Sequence, residues 1–116
     1  MKVGTVDFKA SYPSLALYCD TNSLPYPEVV YGQPLTKGAV ASCDPYSWRV
    51  IVNAKFGDVS EKTMGHELAH LIVRIDAKGD SITHGPKFVN KELEIERFCT
   101  YERRKRLRAK KSNAVL

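Results

Sequence analysis

Chemistry is concentrated in an H-E-x-x-H motif formed by five consecutive residues, His66, Glu67, Leu68, Ala69 and His70. Histidines four positions apart lie one turn apart on the same helix face, so both imidazoles can bind one metal ion. Glu67 is placed to take a proton from water without binding the metal itself. Chance predicts roughly 0.005 such motifs in a chain of this composition. The spacing therefore predicts a metal site, whereas the alternative is a histidine pair that caps the core or faces solvent.

A catalytic zinc site needs a third protein ligand and an open position for water. His84 is the only other histidine in the sequence, and we expect it in a loop that Gly85 and Pro86 turn toward the next helix. Elimination therefore favours His84 as the third ligand. The competing candidates are carboxylates on that next helix, Glu92 or Glu96, as in zinc peptidases whose third ligand is glutamate.

The motif lies within the most regular helical pattern of the chain. Asp58 and Glu61 have the spacing of a capping box, which marks the start of a helix. Apolar residues then recur at helical spacing, namely Met64, Leu68, Leu71, Ile72 and Ile75. These features predict a helix that carries the motif and ends near Asp76, before the exit glycine Gly79.

A second long helix is predicted to begin around Pro86 and to continue into the basic C-terminal part. Its apolar residues spread across an arc whose middle holds Glu92 and Glu96. A metal-binding histidine needs an acceptor for its second ring nitrogen, and a buried carboxylate needs a partner. We therefore hypothesise that Glu92 or Glu96 accepts a hydrogen bond from His66 or His70, or is itself a ligand. The alternative is a rotated helix on which both acids face solvent or pair with lysines and arginines.

The residues before the motif predict a short helix and a small sheet. Residues 11–19 favour a first helix, with Pro13 tolerated in its first turn. Three β-prone segments follow, at residues 29–31, 39–43 and 48–54, and the last alternates as a strand with unlike faces does. The simplest topology is an antiparallel three-stranded meander. The predicted fold class is therefore α+β: a short N-terminal helix, the meander, the motif helix and a long C-terminal helix.

Positive charge is concentrated near the C-terminus. Residues 97–111 contain eight lysines or arginines and one acid, a net charge of +7, which leaves −2 for the rest of a chain whose total is +5. Such a cluster is typical of a solvated helix end or of a surface that binds nucleic acid, because each neutralised phosphate releases a counterion. A membrane-surface helix is disfavoured, since the bulky apolar face is missing. The candidate nucleic-acid-binding residues are Arg103, Arg104, Lys105, Arg106, Arg108, Lys110 and Lys111.

Length and composition favour one globular domain. A chain of 116 residues with 43% apolar and 27% charged residues has room for a single core, and disorder is disfavoured. The apolar runs are too short for a membrane span and the start lacks a secretory signal, so we expect a cytoplasmic or nucleoid-associated protein without a membrane partner. Cys19, Cys43 and Cys99 are odd in number and have no C-x-x-C spacing, which indicates reduced thiols.

The paired histidine motifs resemble the SprT-like metallopeptidase domain. In that family the active helix carries H-E-x-x-H, and the third histidine opens an H-G-x-x-[F/W] segment, which is similar here to His84-Gly85-Pro86-Lys87-Phe88. The strand at residues 50–53 is also similar to the family's layout. The resemblance covers about residues 24–96 and is to a minimal form, without a C-terminal cysteine zinc ribbon. It implies a zincin-like fold and a zinc-dependent peptidase with His66, His70 and His84 as ligands and Glu67 as the base.

We therefore expect a SprT-like domain over residues 1–96 and a basic helix end or tail over residues 97–116. The predicted activity is a zinc endopeptidase in which the metal lowers the pKa of water toward about 7 and Glu67 takes the proton. A peptide substrate is expected to pair with the strand at residues 48–54. Tyr46 and Tyr101 are candidates for stabilising the oxyanion.

The resemblance also bears on partners. The family includes the Spartan proteases, which cut proteins crosslinked to DNA, so DNA-associated proteins are candidate substrates and DNA is a candidate partner of the basic tail. An alternative from another class is a non-catalytic nucleic-acid-binding module in which zinc only stabilises the fold. A third is an inhibitor or decoy that uses a peptidase-like scaffold.

Overall fold

A computed structural model describes residues 4–35, 37–44, 46–76 and 85–115. Within these ranges the chain forms four helices and four strands, which confirms the predicted α+β class. In chain order the elements are β1 (Thr5–Val6), α1 (Phe8–Ser11), α2 (Pro13–Thr21), β2 (Glu28–Gly32), β3 (Ala41–Asp44), β4 (Arg49–Asn53), α3 (Glu61–Asp76) and α4 (Pro86–Val115).

The strands form one mixed sheet in the order β1-β2-β4-β3. β3 and β4 pair antiparallel, with Ser42 opposite Ile51, but β2 lies parallel to β4, with Val30 opposite the same Ile51. The predicted antiparallel three-stranded meander is therefore wrong. β4 takes a central position because its side chains at Val50 and Val52 are fully buried. The connection from β2 to β3 must cross from one side of β4 to the other, a distance of about 10 Å, and it contains enough residues to do so.

Two short helices, α1 and α2, form the N-terminal part of the chain. Tyr12 leaves the helical conformation, with φ −133° and ψ 66°, so α1 ends before it and α2 begins at Pro13. The residue before a proline is disfavoured in a helix, and proline itself suits the first helical position. The helix predicted over residues 11–19 is therefore present as α2, with its bounds shifted to Pro13–Thr21, and it carries the buried side chains of Leu15 and Tyr18; the short helix α1 before it was not predicted.

The helix that carries the motif, α3, begins one residue after Ser60. The Ser60 side-chain oxygen accepts a hydrogen bond from the Thr63 backbone N–H at 3.2 Å, and its carbonyl accepts from Met64 N–H at 2.9 Å. The predicted cap at Asp58 is therefore wrong, because Asp58 lies outside the helix and accepts a hydrogen bond from the Tyr31 hydroxyl. Within the described residues α3 extends to Asp76, and the predicted exit at Gly79 lies outside them.

α3 packs against β3 on one side and against α4 on another, and α4 also contacts α2. The helices lie close together at Gly65, where an added Cβ atom would be in van der Waals contact with Ile95 Cγ2 at 3.4 Å and with Leu15 Cδ2 at 3.6 Å. The side chains with least exposure in this core include Leu15, Val50, Val52, Met64, Leu68 and Leu71. Across the part of the chain that the structure describes, no helix is long and apolar enough to cross a membrane.

Candidate metal centre

His66 and His70 converge from successive turns of α3. Their Nε2 atoms lie 3.2 Å apart, and the two rings are nearly perpendicular, at 81°. Two nitrogens that bind one tetrahedral zinc ion at 2.0–2.1 Å are themselves about 3.3–3.4 Å apart. The separation of the two ring nitrogens therefore fits two ligands of a single zinc ion.

The predicted third ligand, His84, lies outside the described residues. The structure also contains no group of three or more His, Cys, Asp or Glu side chains arranged to hold a metal, as far as residues 4–35, 37–44, 46–76 and 85–115 are concerned. The part of the site that the structure does describe is the histidine pair on α3. His84 as the third ligand stays a prediction.

Of the two glutamates predicted to face the motif, Glu92 lies against it. Its Oε2 atom is 2.5 Å from Nδ1 of His66, on the opposite side of the imidazole from Nε2. Both side chains are about one-third exposed. Glu96 is exposed one turn further along α4, where it lines a cavity of about 220 Å³ together with His66, Glu92, Leu15 and Ile95.

Phe88, near the start of α4, packs against both imidazoles. Its ring is stacked on His70, with centroids 4.2 Å apart and an interplanar angle of 24°, and meets His66 edge-on at 4.9 Å and 74°. The side chain is only 3% exposed. The sequence predicted Phe88 only as an apolar residue of this helix and as part of the segment after His84.

Glu67 points toward the sheet and is only 7% exposed. Burial raises the pKa of its carboxyl, while nearby His66 and a hydrogen bond with the Cys43 thiol of β3 lower it. Burial, followed by the charge of Glu67, raises the pKa of Cys43 to about 12, so the thiol stays protonated and can donate. The net direction for Glu67 is upward, which makes the carboxylate a better proton acceptor. No motif in the sequence pointed to Cys43 as its neighbour.

The strand predicted to pair with a substrate is placed inside the sheet. β4 is bonded to β2 on one side and to β3 on the other, so its backbone has no edge for a peptide, and that prediction is wrong. The strand next to α3 at the edge is β3.

The two tyrosines predicted as oxyanion candidates are both exposed. Tyr46, which follows β3, is 89% exposed and lies under the Arg74 guanidinium, whose Cζ atom is 5.5 Å from its ring centroid. Tyr101 is exposed on α4.

The basic residues of α4 divide into two groups. Arg103 binds Glu61 of α3 at 2.6 Å, and Arg106 donates to the buried Ser14 hydroxyl at 2.7 Å, so both are tied to the body of the protein. The side chain of Lys111 lies outside the described part of the chain. The other described candidates, which are exposed and extend along the helix, are Arg104, Lys105, Arg108 and Lys110.

Comparison of the chain with protein-family models, with curated proteins and with solved structures finds no match. Function must therefore be inferred from the chain's own residues. The most specific of these is the convergent histidine pair next to a buried carboxylate.

Proposed function

We propose that the chain is a zinc-dependent endopeptidase of the SprT-like type. The observation that supports this most directly is the 3.2 Å separation of the His66 and His70 Nε2 atoms, which matches the spacing of two ligands on one zinc ion. The buried carboxylate of Glu67 follows His66 directly in the sequence, as a general base in this motif must.

The proposed division of labour follows from these positions. Zinc, when bound, supplies a Lewis acid for the peptide carbonyl and lowers the pKa of water toward neutrality. His66 and His70 hold the ion through Nε2, and His84 is the proposed third ligand. Glu67 accepts the proton that the attacking water loses and delivers it to the leaving amine when the peptide bond breaks.

The edge strand β3 is the proposed partner of the peptide backbone, in place of β4. β3 lies next to α3, and its Cys43 contacts Glu67, so a peptide extended along this edge would pass beside the base. Main-chain pairing binds a peptide with little sequence preference. This fits an enzyme that cuts unfolded segments of many proteins.

A nucleic-acid-binding module is the second candidate function. It is favoured by four exposed cations on the far part of α4, at Arg104, Lys105, Arg108 and Lys110. Their attraction to phosphates does not depend on base sequence. The two functions are compatible if the enzyme acts on DNA-associated proteins. They differ in that proteolysis requires Glu67 and nucleic-acid binding does not.

The proposal is tested by incubating an unfolded protein with the wild-type chain and with Glu67→Gln, with zinc or a chelator, and with or without single-stranded DNA. We expect the wild type to cleave with zinc only, and Glu67→Gln to lose about 10²–10⁴-fold of the activity while still binding zinc. Glu28→Gln, the same change on an exposed residue of β2, is the matched control and should cleave normally.

Two results would contradict the peptidase. One is a wild-type chain that does not bind zinc, and the other is a Glu67→Gln variant that cleaves as well as wild type. If neither protein cleaves and both bind single-stranded DNA equally, the nucleic-acid-binding module is the better conclusion.

A further inference from the structure

Two residues of α4, Glu92 and Phe88, contact the imidazole rings that α3 carries. We propose that Glu92 is a positioning residue for the zinc site, an inference that rests on the proposed function. Its carboxylate accepts a hydrogen bond from Nδ1–H of His66 and thereby keeps the Nε2 lone pair of that ring free for the metal. Phe88 fixes the plane of the second ring, His70.

The tautomer follows from the contact between Glu92 and His66. An ionised carboxylate can only accept hydrogen bonds, and a neutral imidazole carries a single N–H. A separation of 2.5 Å between Glu92 Oε2 and His66 Nδ1 therefore requires the proton on Nδ1. In a neutral His66 ring, Nε2 is then unprotonated, and its lone pair is available to a metal ion.

The contact is built into the packing of α4 on α3. Phe88, Glu92 and Ile95 follow one another along one face of α4 at helical spacing. Phe88 and Ile95 are buried, and Ile95 meets α3 at Gly65, where the two helices approach closely. Glu92 therefore lies between two buried residues of α4. The packing of α4 on α3 places its carboxylate against His66.

Carboxylate partners of this kind raise the basicity of a metal-bound histidine and restrict its orientation. Glu92 and Glu96 face the same cavity one helical turn apart, yet only Glu92 is placed on a histidine ring nitrogen within the described structure. The two glutamates therefore provide a matched pair of positions for an experiment.

The first measurement is the tautomer of His66 in the metal-free protein, read from the ring nitrogen chemical shifts by NMR above the titration range of histidine. We expect the Nδ1–H tautomer to dominate in the wild type and in Glu96→Ala. Glu92→Ala should shift the population toward Nε2–H, and Glu92→Gln should be intermediate because its amide oxygen still accepts.

The second measurement is zinc affinity by competition with a chelator. Loss of such a partner weakens metal binding by about 10–100-fold, so we expect that loss for Glu92→Ala, a smaller one for Glu92→Gln and a change within about twofold for Glu96→Ala. The graded response separates positioning from a general loss of folding, which would not be rescued by glutamine.

The inference is overturned if Glu92→Ala, or Glu92→Gln should the alanine variant not fold, keeps both the wild-type tautomer and the wild-type zinc affinity. It is also overturned if Glu96→Ala weakens zinc binding as much as Glu92→Ala. A wild-type chain that binds no zinc would instead contradict the proposed function, and the tautomer measurement would still decide whether Glu92 orients His66.

Discussion

The two halves of α4 differ sharply although they form one continuous helix. The near half, residues 86–99, buries Phe88, Ile95 and Cys99 against the rest of the protein. In the far half, every described side chain from Arg103 to Lys110 is exposed. At about 1.5 Å per residue, the 30 residues of α4 reach well beyond the body of the domain.

The sequence of each half explains this difference. The near half has apolar residues at spacings that form one stripe, so it can bury a face, while the far half is polar all round and has no stripe to bury. Within the described structure, two residues of the far half bind the body of the protein: Arg103 contacts Glu61, and Arg106 contacts Ser14. One helix thus combines a half that contacts the histidines of α3 with a half that exposes positive charge, so substitutions in the two halves should have separate effects.

The largest expected effect is on stability, from shortening an apolar side chain in each half. Ile95→Ala removes a side chain that is 2% exposed and contacts Gly65 of α3, so we expect a loss of about 2–5 kcal/mol in the free energy of unfolding. Leu107→Ala, at 60% exposure, should change it by less than about 0.5 kcal/mol. Urea unfolding of the metal-free proteins measures both, and equal losses would show that the halves are not different in packing.

The next effect is on nucleic-acid binding and should be confined to the far half. Replacing Arg104, Lys105, Arg108 and Lys110 by glutamine removes four exposed cations, each of which contributes about 0.7 to the slope of log K against log salt on single strands. We expect the slope to become shallower by about 3, with unchanged stability. Fluorescence anisotropy with single-stranded DNA over a salt series provides the measurement.

The control for this prediction lies in the near half. Lys87→Gln and Lys91→Gln should leave the salt slope unchanged, since these lysines lie outside the far half. An unchanged slope in the fourfold variant would contradict a nucleic-acid surface on the far half and favour a solvated helix end.

Much of this contrast was predictable because it is local. The helical period around His66 and His70, the proline start of α4 and the charge cluster all depend on neighbours in sequence, and each predicted element is present. Position along the chain also limited the histidine contact to Glu92 or Glu96. The choice between them depends on the rotation of α4 about its axis, which packing at Ile95 and Gly65 decides.

The errors concern long-range arrangement. A meander was predicted because neighbouring strands usually pair in order, but the partners of β4 depend on which strand is most buried from both sides. The contact between Cys43 and Glu67 likewise requires β3, rather than β4, to lie beside α3. Asp58 was predicted as the cap from its spacing to Glu61, but serine also caps helices, and only the backbone shows that Ser60 lies at the start of α3.

The smallest expected effect concerns the hydrogen bond by which α2 holds the near half. The buried Tyr18 hydroxyl donates to the Glu94 carboxylate of α4, and this bond is the main cause that lowers the pKa of Glu94, with Lys91 also contributing. A lowered pKa in the folded state stabilises the protein above the ordinary glutamate pKa of about 4.3. That stability is lost as the pH falls through the lowered value.

Tyr18→Phe removes the bond and keeps the ring that meets Phe98 edge-on. We expect a loss of about 1 kcal/mol or less at neutral pH, because Glu94 is partly exposed and water screens the contact. The difference between wild type and variant should shrink as the pH falls below the ordinary glutamate range, since protonated Glu94 no longer attracts the hydroxyl as a charge. Tyr101→Phe, the same change on the exposed far half, should show neither effect. Urea unfolding over a pH series measures all three proteins, and a difference that grows toward acid would contradict a role for the ionised Glu94 in holding the near half.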